Sequence, residues 1–379
     1  MTDAVLALNA GSSSIKIAVC AAGHPAQTIV SGNVDRIGSN DAMMTVTLAE
    51  EGSETRALGS VDHRTALAAL CAHIRAQRPG LRVRGVGHRI VHGGADFTDP
   101  VQVTPDVIEA LEALIPLAPL HQPHGLQGIL TALSLFPEAV HVACFDTAFH
   151  AGKPWLHEAF ALPRHHYDQG VRRYGFHGLA CESICDALLA EAYPLSDRAI
   201  AIAIAHLGNG CSVTAVKDGR SLATSMGFSA LDGLAMGTRR GRIDPGVLLH
   251  LLRDGYDGAG LETLLYHQSG LLGLPGESND MRDLVASGSA QARDAIAYFT
   301  ARAVEEICRM AGAMGGLDAV VFSGGIGENA KDIRTAIMDG LAFLPGREGK
   351  GVEALLRPAN EERQLLMAAG RYVEDRVKN

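Results

Sequence analysis

Several features that would assign this chain to a broad protein class are absent from it. No apolar run approaches the roughly 20 residues that a membrane-spanning helix needs, and no basic segment precedes the first apolar stretch. The seven cysteines are an odd number and include no Cys-x-x-Cys pair, which argues against a disulfide framework. We therefore expect a cytoplasmic protein with reduced thiols and no membrane partner.

Positive charge is also in deficit. Lysine and arginine total 33 against 42 aspartate and glutamate, a formal net charge of −9. This excess of negative charge disfavours nonspecific binding to nucleic acid, so no nucleic-acid partner is expected. The Walker sequence Gly-x-x-x-x-Gly-Lys-Ser/Thr is missing as well. Any nucleotide must therefore be bound by another kind of loop.

Length and alternation of elements predict an α/β chain with two domains. The 379 residues exceed what one core usually holds, and 47% of them are hydrophobic. A boundary is predicted near Gly152 to Pro154, which gives domains 1–150 and 151–360, and a C-terminal helix from residue 361 that packs on the first domain. Strands are predicted over 27–35, 43–48, 84–91, 139–145, 199–206, 213–217 and 319–323. Helices are predicted over 63–77, 105–114, 126–135, 178–192, 245–253, 290–314 and 361–377.

The N-terminal hairpin is typical of a phosphate-binding turn. An apolar strand ends at Asn9, Gly11 allows close approach of the backbone, and the serines Ser12 to Ser14 offer hydroxyl and N–H groups. Lys16 adds a positive charge on the second strand. An ordinary tight turn is the alternative, since Asn, Gly and Ser dominate turns in general.

A second hairpin of the same kind lies about half a chain away. It runs from Ala199 through an Asn209-Gly-Cys-Ser212 turn into a strand of alternating apolar residues. Two such hairpins favour a duplicated domain with a nucleotide bound between the halves.

A glycine-rich turn follows the strand that begins at Asp318. Its Gly325-x-Gly327-x-x-Ala330 pattern matches a dinucleotide fingerprint, but no strand ending in an acidic residue follows about 20 residues on. Residues 340–351 are predicted to be a loop. A nucleotide clamp therefore fits better, and a dehydrogenase is kept as an alternative.

Arginine and histidine cluster in four turns, and several of these residues are bracketed by glycines. This suits recognition of an anion, because a guanidinium matches carboxylate and phosphoryl oxygens with a fork geometry. These turns are 87–94, 174–178, 237–245 and 279–283. Asp146 ends a buried strand, where it caps a turn or holds Mg²⁺ or its waters.

Eight motifs, in order along the chain from Asn9, resemble those of the acetate kinase family. They are Asn-Ala-Gly-Ser-Ser-Ser-x-Lys, His-Arg-x-Val-His-Gly-Gly, Phe-Asp-Thr-Ala-Phe-His, Arg-Arg-Tyr-Gly-Phe-His-Gly, His-Leu-Gly-Asn-Gly, Gly-Thr-Arg-x-Gly-x-Ile-Asp-Pro, Asn-Asp-Met-Arg-Asp and Gly-Gly-Ile-Gly-Glu-Asn. The resemblance implies the duplicated ribonuclease-H-like fold that actin, the sugar kinases and a class of heat-shock chaperones share. It also implies a homodimer that transfers phosphoryl between ATP and a short-chain carboxylate such as acetate, with Mg²⁺ or, in its place, Mn²⁺.

Roles for individual residues follow from the same resemblance. The catalytic residues implied are Asp146, His177 and Arg239, and the metal-site residues are Asn9 and Glu361, with Glu362 as the alternative to Glu361. The acyl substrate is expected at Arg89, Val91, Leu120, Phe176 and Ala230. The nucleotide and its phosphates are expected at Ser12, Ser14, Lys16, His206, Leu207, Gly208, Asn209, Gly210, Asp280, Met281, Arg282, Gly325, Ile326, Gly327, Glu328 and Asn329.

The chain departs from the family pattern where the acyl pocket is expected. Ala230 stands where the family usually has proline, and Gln122 stands where it has asparagine. Propionate or another short-chain acid is therefore an alternative substrate. A noncatalytic ATP-binding protein of the same fold is a further alternative, since fold alone does not fix function.

Overall fold

The computed structural model describes residues 2–25, 27–193, 195, 200–346 and 349–378. These residues form two compact units. The first comprises the chain up to Ala148 together with the residues from Asn360 onward, and the second comprises Phe149–Ala359. None of the described helices combines the length and the apolar character that crossing a bilayer requires.

The first unit is built on a sheet of eight strands in its described part, ordered β5-β4-β3-β2-β1-β6-β8-β7. The strands are β1 (Thr2–Ala10), β2 (Ser14–Ala21), β3 (Thr28–Asp35), β4 (Ala42–Leu48), β5 (Gly52–Gly59), β6 (Leu81–Ile90), β7 (Val101–Gln102) and β8 (Val140–Phe145). Its helices are α1 (His63–Gln77), α2 (Pro105–Ala113), α3 (Gln122–Leu135) and the C-terminal α14 (Glu361–Lys378).

Alternating apolar residues form the core of this unit. Leu6, Leu8 and Ile17 are buried in one cluster with Leu67 and Leu70 of α1. Burying such a side chain fully contributes about 1.5–3 kcal/mol. Period-two alternation on the strands and a helical stripe on α1 thus bury one continuous core.

The second unit has a five-stranded sheet in its described part, ordered β11-β10-β9-β12-β13. The strands are β9 (Ala201–Leu207), β10 (Cys211–Lys217), β11 (Arg220–Thr224), β12 (Ala319–Ser323) and β13 (Glu353–Leu356). Its helices are α4 (Trp155–Glu158), α5 (Arg164–Asp168), α6 (Gly178–Ala190), α7 (Pro245–Arg253), α8 (Gly258–His267), α9 (Gly270–Gly273), α10 (Met281–Ser287), α11 (Ala290–Met314), α12 (Gly324–Asn329) and α13 (Lys331–Gly340). The long helix α11 packs across this sheet.

The two sheets share one topology. In the first unit β1, β2 and β3 are antiparallel, and β6 and β8 extend the sheet in parallel on the other side of β1. In the second unit β9, β10 and β11 are antiparallel, and β12 and β13 extend that sheet in the same way. The predicted duplicated ribonuclease-H-like α/β fold is therefore confirmed.

Several element bounds agree with the sequence predictions. Strand β12 and helices α1, α7 and α11 have the predicted limits, and Asp62 caps α1 by accepting a hydrogen bond from the Thr65 backbone N–H. Helix α3 begins earlier than predicted, at Gln122, because Pro123 is well suited to a first helical turn. For the strand predicted over 199–206, residue 199 lies outside the described residues, as do residues 347 and 348 of the predicted 340–351 loop.

Other predictions were wrong. Strands β5, β7, β11 and β13 were missed. The predicted turn over Asn279 to Asp283 instead starts a helix at Met281, where the Asp280 side chain accepts from the Arg282 backbone N–H. An Asx cap of this kind looks like a turn in sequence because the same residue types serve both.

Candidate active site

The N-terminal hairpin has the geometry that its residues predict. Asn9 and Lys16 face each other across β1 and β2, and the Gly11 N–H donates to the Ser14 carbonyl over 2.8 Å. Ser12 and Lys16 are exposed, and Ser14 is half-buried. The hairpin thus offers hydroxyl groups and one amine to solvent.

Arg89 is the centre of a cluster of oxygen atoms in the first unit. Its Nη2 lies 2.7 Å from Asp146 Oδ2 and its Nε 3.1 Å from Asp146 Oδ1. Its Nη1 donates to Asn9 Oδ1 over 3.3 Å, and its Nε lies 3.4 Å from Glu361 Oε2. One guanidinium thereby gathers three of the residues expected to catalyse or to bind metal.

Burial sets the electrostatics of this cluster. Desolvation alone would lower the pKa of Arg89, but the carboxylates of Asp146 and Glu361 outweigh it and raise that pKa. Burial raises the pKa of Glu361 in spite of the opposing charge of Arg89. The buried carboxylate of Asp146 and the half-buried one of Glu361 share a single guanidinium, so a further cation would stabilise the cluster.

Helix α14 reaches this cluster because β6 carries glycines where the helix crosses it. A Cβ on Gly87 would lie 2.3 Å from the Leu365 carbonyl oxygen, and one on Gly85 would lie 2.7 Å from Val373 Cγ2. The close approach places Glu361, at the start of α14, beside Arg89. The side chain that pairs with the guanidinium is that of Glu361, and Glu362 acts on Arg89 only as a more distant charge.

The first unit contributes two of the expected acyl-pocket residues, Val91 and Leu120, and both are half-buried. The segments that contain them are linked by hydrogen bonds of the Gln122 side chain. Its Nε2 donates to the His92 carbonyl over 3.0 Å, and its Oε1 accepts from the His92 backbone N–H over 3.3 Å. Gln122, which stands where the family has asparagine, therefore makes specific hydrogen bonds to the His92 backbone.

In the second unit, the hairpin between β9 and β10 lies beside the side chains of His177 and Arg239. A Cβ on Gly210 would lie 3.2 Å from His177 Nε2 and 3.9 Å from Arg239 Nη1. His177 Nδ1 lies 3.0 Å from Ser212 Oγ, and the rings of His177 and His206 are 4.8 Å apart. The structure thus brings His177, Arg239 and the hairpin together.

Arg239 is half-buried and has no carboxylate partner in the described part of the chain. Its Nη1 donates to the Ala230 carbonyl over 3.4 Å and approaches Met236 Sδ at 3.7 Å. Within the described ranges no aspartate or glutamate forms an ion pair with it, and burial lowers the pKa of Arg239. A desolvated guanidinium that lacks a carboxylate partner is suited to bind an anionic group of a ligand.

A pocket of about 1060 Å³ opens beside this hairpin. Its lining includes these residues expected to bind nucleotide: Gly208, Asn209, Asp280, Met281, Arg282, Gly325, Ile326 and Asn329. The hairpin meets the turn after β12, because a Cβ on Gly208 would lie 3.6 Å from the Gly325 nitrogen. The volume and the mixed lining suit a nucleotide.

Glu328 and Gly327 are near this pocket but not in its lining. Glu328 Oε1 accepts from the Gly324 N–H over 2.9 Å, and Gly324 adopts a φ of 77° with no room for a side chain against the Leu207 carbonyl. Gly327 is buried. Their observed contacts shape the turn after β12, so a direct nucleotide contact stays a prediction for both.

Phe176 and Ala230, also expected in the acyl pocket, both lie in the second unit. Phe176 is 3% exposed, and its carbonyl accepts from His150 Nε2 over 2.9 Å. Ala230 is half-buried, and its carbonyl accepts from Arg239.

Sequence reasoning missed several residues at these sites. Lys331 and Val285 line the nucleotide pocket, and His63 Nε2 donates to the Gly11 carbonyl over 2.8 Å and so supports the first hairpin. Lys331 could have been noticed as a lysine directly after the glycine-rich turn.

Among the described residues no group of three or more His, Cys, Asp or Glu side chains forms a metal cluster, so a cation would also need amide oxygens such as that of Asn9.

Known proteins resemble this chain in both sequence and fold. Residues 4–353 match the model of the acetokinase family. The chain is 42% identical to an acetate kinase of Methylocella silvestris, over 98% of this chain and 93% of the relative. It is 46% identical to an acetate kinase of Rhodopseudomonas palustris, over 91% and 87% of the two chains.

Two solved structures are similar over almost the whole chain. A propionate kinase of Francisella tularensis has a TM-score of 0.88 at 33% identity and covers 97% of this chain and 99% of its own. An acetate kinase of Porphyromonas gingivalis has a TM-score of 0.84 at 32% identity, with 97% and 98% covered.

Proposed function

Because the chain belongs to the acetokinase family, we propose that it transfers a phosphoryl group reversibly from ATP to acetate, giving acetyl phosphate and ADP. The observation that carries the proposal is the meeting of His177 and Arg239 at Gly210, on a hairpin that also lines the nucleotide pocket. Two such side chains beside a phosphate-type turn suit a phosphoryl group in transfer.

His177 and Arg239 have the task of stabilising charge. In phosphoryl transfer, negative charge spreads over three equatorial oxygens while the attacking and leaving oxygens stay in line. Arg239 lacks a carboxylate partner in the described residues and is already desolvated, so its guanidinium is free to bind those oxygens without first breaking an ion pair. His177, held through Nδ1 by Ser212, directs Nε2 to the same place.

Arg89 is the proposed ligand of the acid. Its guanidinium matches a carboxylate bidentately, as its present pairing with Asp146 illustrates. Acetate has a solution pKa near that of an aspartate or glutamate side chain, about 4, so it is ionised at neutral pH and needs no general base. The residues therefore bind and orient the nucleophile and do not deprotonate it.

The oxygen donors around Arg89 fit Mg²⁺. Asn9 Oδ1 and the carboxylates of Asp146 and Glu361 are hard ligands of the kind that Mg²⁺ and Mn²⁺ take. Held by these residues, the ion would supply positive charge that offsets the negative charge of the phosphates. We accordingly assign Asp146 to positioning of metal and water, and Glu361 rather than Glu362 to the metal site.

Propionate is a second candidate substrate, favoured by one observation. Ala230 occupies a position where the family usually has proline, and its carbonyl accepts a hydrogen bond from the Arg239 guanidinium. Because alanine is smaller than proline, we propose that the acyl pocket here accepts one more methylene. A propionate kinase is also among the similar structures. We further propose a cytoplasmic homodimer, in keeping with the family.

The test is formation of acyl phosphate, trapped as the hydroxamate, with ATP, Mg²⁺ and acetate, propionate or butyrate in turn. We expect acetate and propionate to react and Arg239→Ala to abolish most of the product. A protein that binds ATP but forms no hydroxamate with any acid would contradict the proposal and favour a noncatalytic ATP-binding protein. Binding of NAD in preference to ATP would favour the dehydrogenase alternative.

A further inference from the structure

The segment that carries His177 has an unusual backbone. Gly175 has a φ of 87°, and His177 itself has a φ of 60°, in the left-handed region that residues with side chains seldom adopt. A Cβ on Gly175 would lie 2.5 Å from Thr224 Cγ2 and 2.8 Å from His150 Cδ2. A strained residue of this type persists only where the surrounding structure fixes it.

Two buried side chains hold the carbonyl groups just before His177. Lys153 is 6% exposed, and its Nζ donates to the Tyr174 carbonyl over 3.0 Å and to the His150 carbonyl. His150 is fully buried and donates from Nε2 to the Phe176 carbonyl over 2.9 Å, while its Nδ1 accepts from the Ser221 hydroxyl over 2.8 Å. The carbonyls of residues 174 and 176 are thus both fixed by side-chain donors.

Burying the Lys153 ammonium group, which is 6% exposed, costs free energy. An apolar side chain would occupy the same space without that cost. Burial lowers the pKa of Lys153 to about 8, against the raising effect of Glu158. The amine is therefore mostly protonated at neutral pH, which strengthens its bonds to the carbonyls. The other charged or titratable groups nearby are His150 and His157, and Arg309 acts in turn on His157.

We propose that Lys153, with His150, is a positioning residue that holds the Tyr174 to Phe176 backbone so that His177 keeps its left-handed conformation with Nε2 at Gly210. Lys153 itself does not touch substrate in this account. It acts through His177, and the proposal therefore rests on the proposed function of His177.

The test compares Lys153→Met with Lys217→Met in the acyl phosphate assay. Met keeps the length of the side chain and removes the amine. Misplacement of a catalytic group by about 1 Å costs up to about 100-fold in rate, so kcat should fall about 10- to 100-fold in Lys153→Met. The KM for ATP should stay within about threefold, since the interaction lost is one made in the transition state. Lys217 Nζ also donates to a backbone carbonyl, that of Met314 over 3.0 Å, and its variant should keep the parent kcat.

A double-mutant cycle separates positioning from general stability. In a His177→Ala background, Lys153→Met should change kcat by no more than about twofold, because its effect passes through the missing imidazole. A full additional loss in that background, or a folded Lys153→Met protein with the parent kcat, overturns the proposal. If Lys153→Met does not fold, Ser221→Ala weakens the orientation of His150 instead, and an unchanged kcat there also overturns it.

Failure of the proposed function would look different. The parent protein would then form no acyl phosphate from any acid. In that event, ¹⁵N-histidine NMR still decides the inference, with the His177 signal assigned from a His177→Asn variant. Lys153→Met should shift the His177 imidazole resonances and Lys217→Met should not, and an unshifted His177 signal in Lys153→Met overturns the inference.

Discussion

Asp146 and Arg89 form a bidentate pair, with Asp146 Oδ2 2.7 Å from Arg89 Nη2 and Oδ1 3.1 Å from Nε. Asp146 is 1% exposed, so its buried carboxylate depends on the Arg89 guanidinium to balance its charge. The pair places the carboxylate among the oxygen donors that suit a divalent cation.

Asp146→Asn should lower kcat about 100-fold or more at every pH, since it removes the charge but keeps the size of the side chain. Higher Mg²⁺ or replacement by Mn²⁺ should restore part of the activity if the carboxylate positions metal and water. The measurement is a pH profile of kcat at two metal concentrations. A variant that merely loses the acid limb of the profile, with the same metal dependence as the parent, would indicate a general base instead.

Arg239→Ala should reduce kcat about 100-fold or more while the KM for ATP changes little, because the guanidinium acts on charge that develops in the transition state. Arg282→Ala is the contrasting variant. The Arg282 side chain lines the nucleotide pocket and is 88% exposed. Its loss should raise the KM for ATP with a smaller change in kcat. A kcat for Arg239→Ala within a few-fold of the parent would refute the assigned role.

Glu361→Gln and Glu362→Gln form a matched pair that tests the metal-site assignment. Glu361 contacts Arg89 in the buried cluster, whereas Glu362 is the neighbouring residue on the same helix. Titration of activity with Mg²⁺ should give a weaker apparent affinity for Glu361→Gln, by about tenfold or more, and a nearly unchanged one for Glu362→Gln. The reverse order would move the site to Glu362.

Ala230→Pro should shift the ratio of kcat/KM values toward acetate and away from propionate. One methylene in an apolar pocket is worth about 1 to 3 kcal/mol, or roughly 10- to 200-fold in kcat/KM. We expect the parent to lie at the lower end of this range and to use propionate within roughly tenfold of acetate. Kinetics with both acids in parent and variant decide the matter. The pocket assignment fails if the parent rejects propionate or if proline leaves the ratio unmoved.

His150 makes stability depend on pH. Burial lowers the pKa of His150 to about 3, whereas an unfolded chain protonates histidine near its ordinary value of about 6.5. The contribution of neutral His150 to the free energy of unfolding is therefore fully present above pH ~6.5. As the pH falls toward the folded-state pKa, this contribution decreases by up to about 1.4 kcal/mol per pH unit. Urea unfolding at pH 7 and pH 5 should show a smaller loss for His150→Gln than for the parent. Equal losses in both proteins would contradict this assignment.

Much of this account could be predicted from the sequence. The order of the eight motifs identified the family and its fold, and both identifications are confirmed. Strongly periodic helices such as α11 were predicted to the residue. Strand β5 was missed because it is mostly exposed and polar, and β13 because it has only four residues, which are mostly exposed. Neither shows the apolar alternation that marks a strand.

The hydrogen bonds that support the site could not be predicted from the sequence, because they too leave no sequence pattern. Lys153 and His63 both bond to main-chain carbonyls, which belong to every residue and leave no pattern in the sequence. The left-handed conformation of His177 has no marker either, since glycine is the residue that usually signals a positive φ.

The most direct test of the central claim is to measure ADP release by the purified protein with ATP and Mg²⁺, with and without acetate, together with the acyl phosphate formed. We expect ADP release to depend on the acid and to match acyl phosphate one to one, and both to fall together in Arg239→Ala. ADP release that continues unchanged without acetate, with no acyl phosphate formed, would contradict the claim that this chain is a carboxylate kinase.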